Sequence, residues 1–161
     1  MKVKGHVMRG ISRGADLVSV YYPRLIHLMK CKPHKGTLDV KMEKAIDTRP
    51  YATLFVDRIL MNGDRVINLY IIPVNMRFKK KSEDSSKEEF IEIRCWIIRQ
   101  ERSVHRDDVA EIVCDQNLKK KYGLDDGDEI ELEFLSKKNV KKDNVVIKSV
   151  KRLYGLRGGG D

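Results

Sequence analysis

The sequence predicts a mainly β, single-domain barrel decorated with short helices. Short apolar-alternating runs recur along the chain, and turn signals such as Asn62-Gly63 and Asp126-Gly127-Asp128 separate them. Helical periodicity is confined to brief stretches. A chain of 161 residues with 41% apolar and 35% charged residues can bury one real core beneath a highly charged surface.

In chain order, Val3 to Arg9 and Leu17 to Tyr21 read as strands around the loop Gly10-Ile11-Ser12-Arg13-Gly14. After Pro23, the residues Leu25, Ile26, Leu28 and Met29 stand at helical spacing, and Pro33 marks the end of that helix. Gly36 opens a strand in which Thr37 and Asp39 share one face while Leu38 and Val40 turn toward a core. Thr53 to Met61 and Arg65 to Val74 form a hairpin about Asn62-Gly63, two residues that tolerate positive φ. Lys79 to Glu89 is charged and patternless, so a protruding, mobile loop is expected, followed by the strand Phe90 to Ile98. Asp107 to Val113 and Asn117 to Tyr122 read as short helices, the second with Asp115 as N-cap and Gly123 as C-cap. The Asp126-Gly127-Asp128 turn leads into the alternating strand Glu129 to Phe134. Val145 to Val150 reads as an added strand before the glycine-rich end Gly155 to Asp161.

The domain expected is a barrel over residues 1–135, with a basic C-terminal extension over 136–161. Charge supports that division. The net charge is +9, and from Ser136 onward eight Lys and Arg face only Asp143 and Asp161, so two thirds of the excess lies there. Such an extension can touch nucleic acid or simply keep the protein soluble, and the second use is the commoner one. The widely spaced Cys31, Cys95 and Cys114 form neither a zinc pattern nor a disulfide framework, so reduced, buried thiols are expected. Absence of a membrane-length apolar run and of a signal-peptide block leads to the expectation of a cytoplasmic protein.

Several residues carry candidate chemistry. Thr37 and Asp39 would place a hydroxyl and a carboxylate side by side, a donor pair suited to magnesium, which completes its shell with water and phosphate oxygens. The alternative is a strand edge with polar residues facing water. The Gly10–Gly14 loop can form an amide nest for an anion or serve as a hairpin turn, and it lacks the Lys-Ser/Thr ending of a Walker loop. His105 with Asp107 and Asp108 reads as a loop histidine ahead of helix-start acids. Glu111, among apolar neighbours, is either an exposed helix position or an acceptor for a ligand's polar edge. Lys119, Lys120 and Lys121 make a basic stretch from which one side chain can meet a phosphate.

Taken in order, these segments resemble the archaeal CTP-dependent riboflavin kinases over roughly residues 3–135. The resemblance rests on the glycine-containing loop Gly10 to Ala15, the strand Gly36-Thr37-Leu38-Asp39, the Ser103-Val104-His105 segment followed by Glu111, and Leu118-Lys119 ahead of Asp126-Gly127-Asp128. It implies a six-stranded cradle-loop barrel, CTP and riboflavin as substrates, Mg2+ as cofactor and a monomer. It further implies that Gly10, Ile11, Ser12, Arg13, Gly14 and Ala15, with Gln116, Asn117, Leu118 and Lys119, hold the cytidine nucleotide. Ser103 and Glu111 would contact the flavin, and Thr37 and Asp39 the metal. No residue is assigned as catalytic base. The chain departs from the family pattern at Ser12 and Arg13, where a glycine and a glutamate are usual, and at Asp39, where asparagine is usual. The pattern therefore carries −1 over Arg13 and Asp39 where this chain carries 0, and Arg13 is expected to offset Asp39 or meet the triphosphate. The other class of reading is a non-catalytic barrel relative that binds nucleotide, flavin or nucleic acid.

Overall fold

Along β1 (Lys2–Met8), Val3, Gly5 and Val7 are buried while Lys2, Lys4 and His6 face solvent, the period-two signature of a strand with one face on a core. A computed structural model describes residues 1–10, 14–61, 65–84, 86–101 and 106–135 of the chain. Within it, β1 is followed by helix α1 (Gly14–Met29), β2 (Leu38–Met42), a 3-10 turn (Arg49–Tyr51), β3 (Leu54–Met61), β4 (Arg65–Lys79), β5 (Phe90–Gln100), β6 (Val109–Val113), helix α2 (Leu118–Tyr122) and β7 (Glu129–Phe134).

All pairings are antiparallel, and the sheet order is β3-β4-β5-β6-β2-β1-β7. The length of β4 closes the ring. Its first half pairs with β3, Met61 opposite Arg65 and Leu54 opposite Ile71, and its second half pairs with β7, Val74 opposite Phe134 and Phe78 opposite Ile130. Strands β4, β5, β6, β2, β1 and β7 thus form a closed six-stranded barrel, with β3 as a seventh strand on β4. Closure leaves few unpaired sheet edges.

Two apolar clusters sit on opposite faces of this sheet. Inside the barrel, Val7, Val40, Ile72, Val74, Ile97 and Leu132 are almost fully buried. Outside it, Val56, Leu69, Ile71, Ile98 and Val113 are covered by Val18, Leu25 and Met29 of α1. Burying several such side chains at about 1.5–3 kcal/mol each explains why α1 persists across Pro23, whose missing N–H removes one helical hydrogen bond.

This helix corrects the strand expected over Leu17 to Tyr21 and the helix start expected at Pro23. The β-branched and aromatic run there is helical because tertiary packing outweighs local propensity. Lys30, at φ 56, ends α1 in the left-handed region, and Pro33 follows. A second correction falls on Asp107 to Val113, expected as a helix and found as β6. Every residue of β6 is buried, one face in the barrel and the other toward the outer cluster, so no period-two alternation is visible in its sequence. Asp107 and Asp108, expected as helix-start acids, instead pair with Arg99 and Lys41. The N-cap of α2 is Asn117 rather than Asp115: its side chain accepts the Lys120 N–H at 3.0 Å. Gly123 ends the helix at φ 65 as expected. The Asn62-Gly63 turn, the expected strand over Val145 to Val150 and the whole extension 136–161 lie outside the described residues.

Strands β1 and β2 approach closely at Gly5. A Cβ there would lie 2.5 Å from the Lys41 carbonyl oxygen and 2.9 Å from Val40 Cγ1. Gly5→Ala is therefore expected to destabilise the barrel by about 2 kcal/mol or more through forced separation of β1 and β2. Urea unfolding measures this, and a midpoint equal to that of the parent chain would show that the ladder yields freely.

Candidate active site

The register of β2 distributes the candidate residues. Leu38 stands opposite Ile112 and Val40 opposite Ala110, all facing the barrel interior, so the alternate pair Asp39 and Glu111 faces outward. Asp39 also stands opposite Met8 of β1, and Glu111 opposite Ile98 of β5. The outer row thus runs Met8, Asp39, Glu111, Ile98, Ile71 and Leu54, with its far end under α1. At the boundary between open strand and covered cluster lie two carboxylates, only 2% and 5% exposed. Gly10 comes over them as the chain leaves β1, and a Cβ on Gly10 would sit 3.6 Å from Asp39 Oδ2.

Thr37 is half-buried and lies one residue before β2 begins. It lines a cleft of about 200 Å3 at the barrel mouth with His34, Gly36, Cys114 and the Gln116–Lys119 segment. The cleft is fixed from several sides. The His34 N–H donates to the Cys114 carbonyl at 2.8 Å, and the Tyr122 hydroxyl donates to Gln116 Oε1 at 3.4 Å. The Lys119 ammonium meets Asp126 Oδ1 at 2.9 Å, tying this segment to the Asp126-Gly127-Asp128 turn. That turn docks in turn on β1, with the Gly127 N–H donating to the Val7 carbonyl at 2.7 Å and the Val7 N–H to the Asp128 carbonyl at 2.9 Å.

Residues expected to share a ligand, though far apart in the chain, therefore gather around one end of β2. Gly10 and Asp39 are adjacent, Asp39 and Glu111 are opposed, and Thr37 shares its cleft with Gln116, Asn117, Leu118 and Lys119. Gly14 and Ala15 form the first turn of α1, so the glycine-containing loop opens a helix rather than a strand. Ile11, Ser12, Arg13 and Ser103 lie outside the described residues, as does His105. His34 and Cys114 line the cleft without having been singled out by sequence, since neither belongs to a motif. Larger clefts, of about 430 and 460 Å3, lie along Lys79–Lys81 and Arg77–Phe90. Their charges are largely spent on one another, as in Lys79–Glu88 and Lys81–Asp128, and they contain none of the residues gathered at β2.

Thr37 in the cleft and Asp39 on the outer face offer a hydroxyl and a carboxyl, oxygen donors of the kind magnesium takes. Among the described residues, no group of three or more His, Cys, Asp or Glu converges on a metal position. The fit is thus to an ion held by few protein ligands, not to an all-protein cage.

The fold is a closed barrel with a helix-covered outer face and a polar cleft at one strand end. Comparison narrows it further. The family model CTP-dep_RFKase, described as a domain of unknown function, DUF120, matches residues 7–134. The chain belongs to this family. Proteins named riboflavin kinase are similar to it: one from Thermococcus kodakarensis is 29% identical over 137 residues, and one from Aeropyrum pernix is 24% identical over 137 residues. These alignments cover 83% and 82% of this chain. They span 58% of the Thermococcus protein's length and 94% of the Aeropyrum protein's. Among the described residues, no helix is long and apolar enough to cross a membrane.

The turn that anchors this site has a pH signature. Burial pushes the Asp128 carboxyl up, but the Asp125 N–H at 2.8 Å and the Lys81 ammonium at 2.9 Å outweigh it and hold it below the ordinary carboxylate value. A carboxyl depressed in the folded state contributes stability above its unfolded value, and loses it as pH falls through the folded one. Asp128→Asn should therefore cost about 1 kcal/mol at pH 7, with the deficit closing below about pH 4. Thermal unfolding across pH 2–8 measures the gap, and a constant deficit would contradict a charge-based role.

Proposed function

We propose that this chain is a CTP-dependent riboflavin kinase, moving the γ-phosphoryl of CTP to the riboflavin 5′-hydroxyl to give FMN and CDP. The observation that carries this reading is the convergence at β2. Gly10, Asp39 and Glu111 lie together on the outer face of β2, and Thr37 lies with Gln116–Lys119 in the cleft where that strand begins. Family membership and the names of the relatives support riboflavin as acceptor, and the family model's name supports CTP as donor.

Phosphoryl transfer asks a protein mainly to align two substrates and neutralise charge, so it does not need a crowded set of reactive side chains. In this reading, Gln116–Lys119 and the backbone from Gly10 onward hold the nucleotide. Lys119 is already oriented by Asp126 and presents positive charge at the cleft. Glu111 accepts hydrogen bonds from the flavin's polar edge, beside an apolar surface that includes Ile98 and partly buried Trp96. Magnesium held by Thr37 and Asp39 would neutralise the triphosphate and fix its orientation. Asp39, almost fully buried on the rigid strand β2, would be the carboxyl ligand of that ion.

Incubation with riboflavin, magnesium and each of the four nucleoside triphosphates in turn tests the proposal. FMN should form with CTP and not with the other three. Asp39→Ala and Thr37→Ala should lower kcat/KM by about ten- to a hundredfold, the size expected for losing a contact to a charged group. Glu111→Gln should chiefly raise KM for riboflavin. No FMN with any nucleotide would overturn the assignment and favour a binding-only relative.

A further inference from the structure

Beyond the proposed kinase reaction, the cleft contains thiol chemistry that this reaction does not use. On adjacent antiparallel strands, Ile97 stands opposite Ile112 and Trp96 opposite Val113, so the next opposed pair is Cys95 and Cys114. Both side chains belong to the barrel-interior cluster, which places them on the same face of the sheet. Directly opposed residues of antiparallel strands have Cα atoms about 4.5–5.5 Å apart, within the span that a disulfide bridges. Both cysteines are free thiols, and the Cys114 thiol donates to Asp115 Oδ1 at 3.3 Å.

The two sulfurs differ in setting. Cys95 is fully buried in the barrel, whereas Cys114 lines the 200 Å3 cleft beside Thr37 and Gln116. That cleft has room for a molecule the size of a peroxide, since a water occupies about 30 Å3. Cys95 beside it holds Cys114 below the ordinary thiol value, although burial and Asp115, which accepts from the Cys114 thiol, work the other way. The Cys95 thiol is pushed up by neighbouring Cys114 and by burial. Cys114 is thus the better nucleophile and Cys95 the partner behind it.

We infer that Cys95 and Cys114 form a reversible dithiol–disulfide site, oxidised by a hydroperoxide entering the cleft, and that the disulfide alters the cleft floor. In the first step the Cys114 thiolate attacks the peroxide. An S–O bond forms as the O–O bond breaks, sulfur is oxidised by two electrons, and water or an alcohol leaves. In the second, the Cys95 sulfur attacks the Cys114 sulfenic acid. The S–S bond forms, the S–O bond breaks, and the hydroxide departs as water with the Cys95 proton. An external dithiol restores both thiols by exchange.

The structural consequence follows from what Cys114 holds. Its carbonyl accepts the His34 N–H, and two residues further on begins the Gln116–Lys119 segment. Drawing its side chain toward β5 moves one wall of the cleft. The thiol chemistry stands without the kinase reading, and only an effect on CTP binding would rest on it.

Full-length protein, treated with hydrogen peroxide and then alkylated, is to be digested without reductant and mapped by mass spectrometry. The expected product is a Cys95–Cys114 linked peptide, reversed by dithiothreitol, with Cys31 still alkylated. Hydrogen exchange at the His34 and Gln116–Lys119 amides should speed up at least severalfold in the oxidised form. Retention of three alkylatable thiols, or a Cys31–Cys114 link instead, overturns the site. A Cys95–Cys114 link with unchanged exchange overturns its control of the cleft. CTP affinity before and after oxidation is read separately. If the reduced protein does not bind CTP, the kinase reading fails while the thiol map and exchange still decide this proposal.

Discussion

The pairing of β2 with β1 on one side and β6 on the other is the constraint on which the rest of the structure depends. With Asp39 opposite both Met8 and Glu111, the apolar residues Leu38, Val40, Ala110 and Ile112 fill the barrel while the carboxylates face outward. A slip of β2 by one residue would turn Asp39 and Lys41 into the core and put Leu38, Val40 and Met42 outside. Gly5 protects the register from the β1 side, because only a residue without Cβ lets Lys41 and Val40 approach so closely. On the β6 side the apolar pairs Leu38–Ile112 and Val40–Ala110 do the same work.

Asp39 and Glu111 are opposed and buried, so their oxygens need partners within the protein or in a ligand. Their position at the rim of the α1-covered cluster is an arrangement better suited to binding than to stability. It places anionic oxygens on a rigid strand next to the flexible-backbone residue Gly10 and one step from the polar cleft at Thr37.

Much of this was legible in the sequence, for identifiable reasons. The strand at Leu38–Met42, the hairpin strands β3 and β4, and β7 alternate because one face of each meets the interior or because turn residues bound them. The six-strand ring was reachable only through the family resemblance, as closure depends on β4 serving β3 with one half and β7 with the other. Helix α1 and strand β6 were misread for opposite reasons. In α1 the β-branched residues Val18 and Val20 favour a strand locally, and packing on the outer cluster overrides them. In β6, burial on both faces erased the alternation and left Glu111 looking like an isolated helical acid. Its partnership with Asp39 is a long-range fact that no local window contains. The contributions of His34 and Cys114 to the cleft were invisible for the same reason.

The cleft along Lys79–Lys81 is larger than the cleft at β2, but its lysines are paired with Glu88, Glu89, Asp125 and Asp128, which leaves the β2 cleft the better place for a polyanionic ligand. Backbone-amide NMR shifts on titration of the full chain with CTP and magnesium test which one the nucleotide occupies. The account predicts that the largest changes cluster at Gly10, Thr37–Asp39 and Gln116–Lys119. Changes centred instead on Lys79–Lys87, with the β2 amides unmoved, would contradict it.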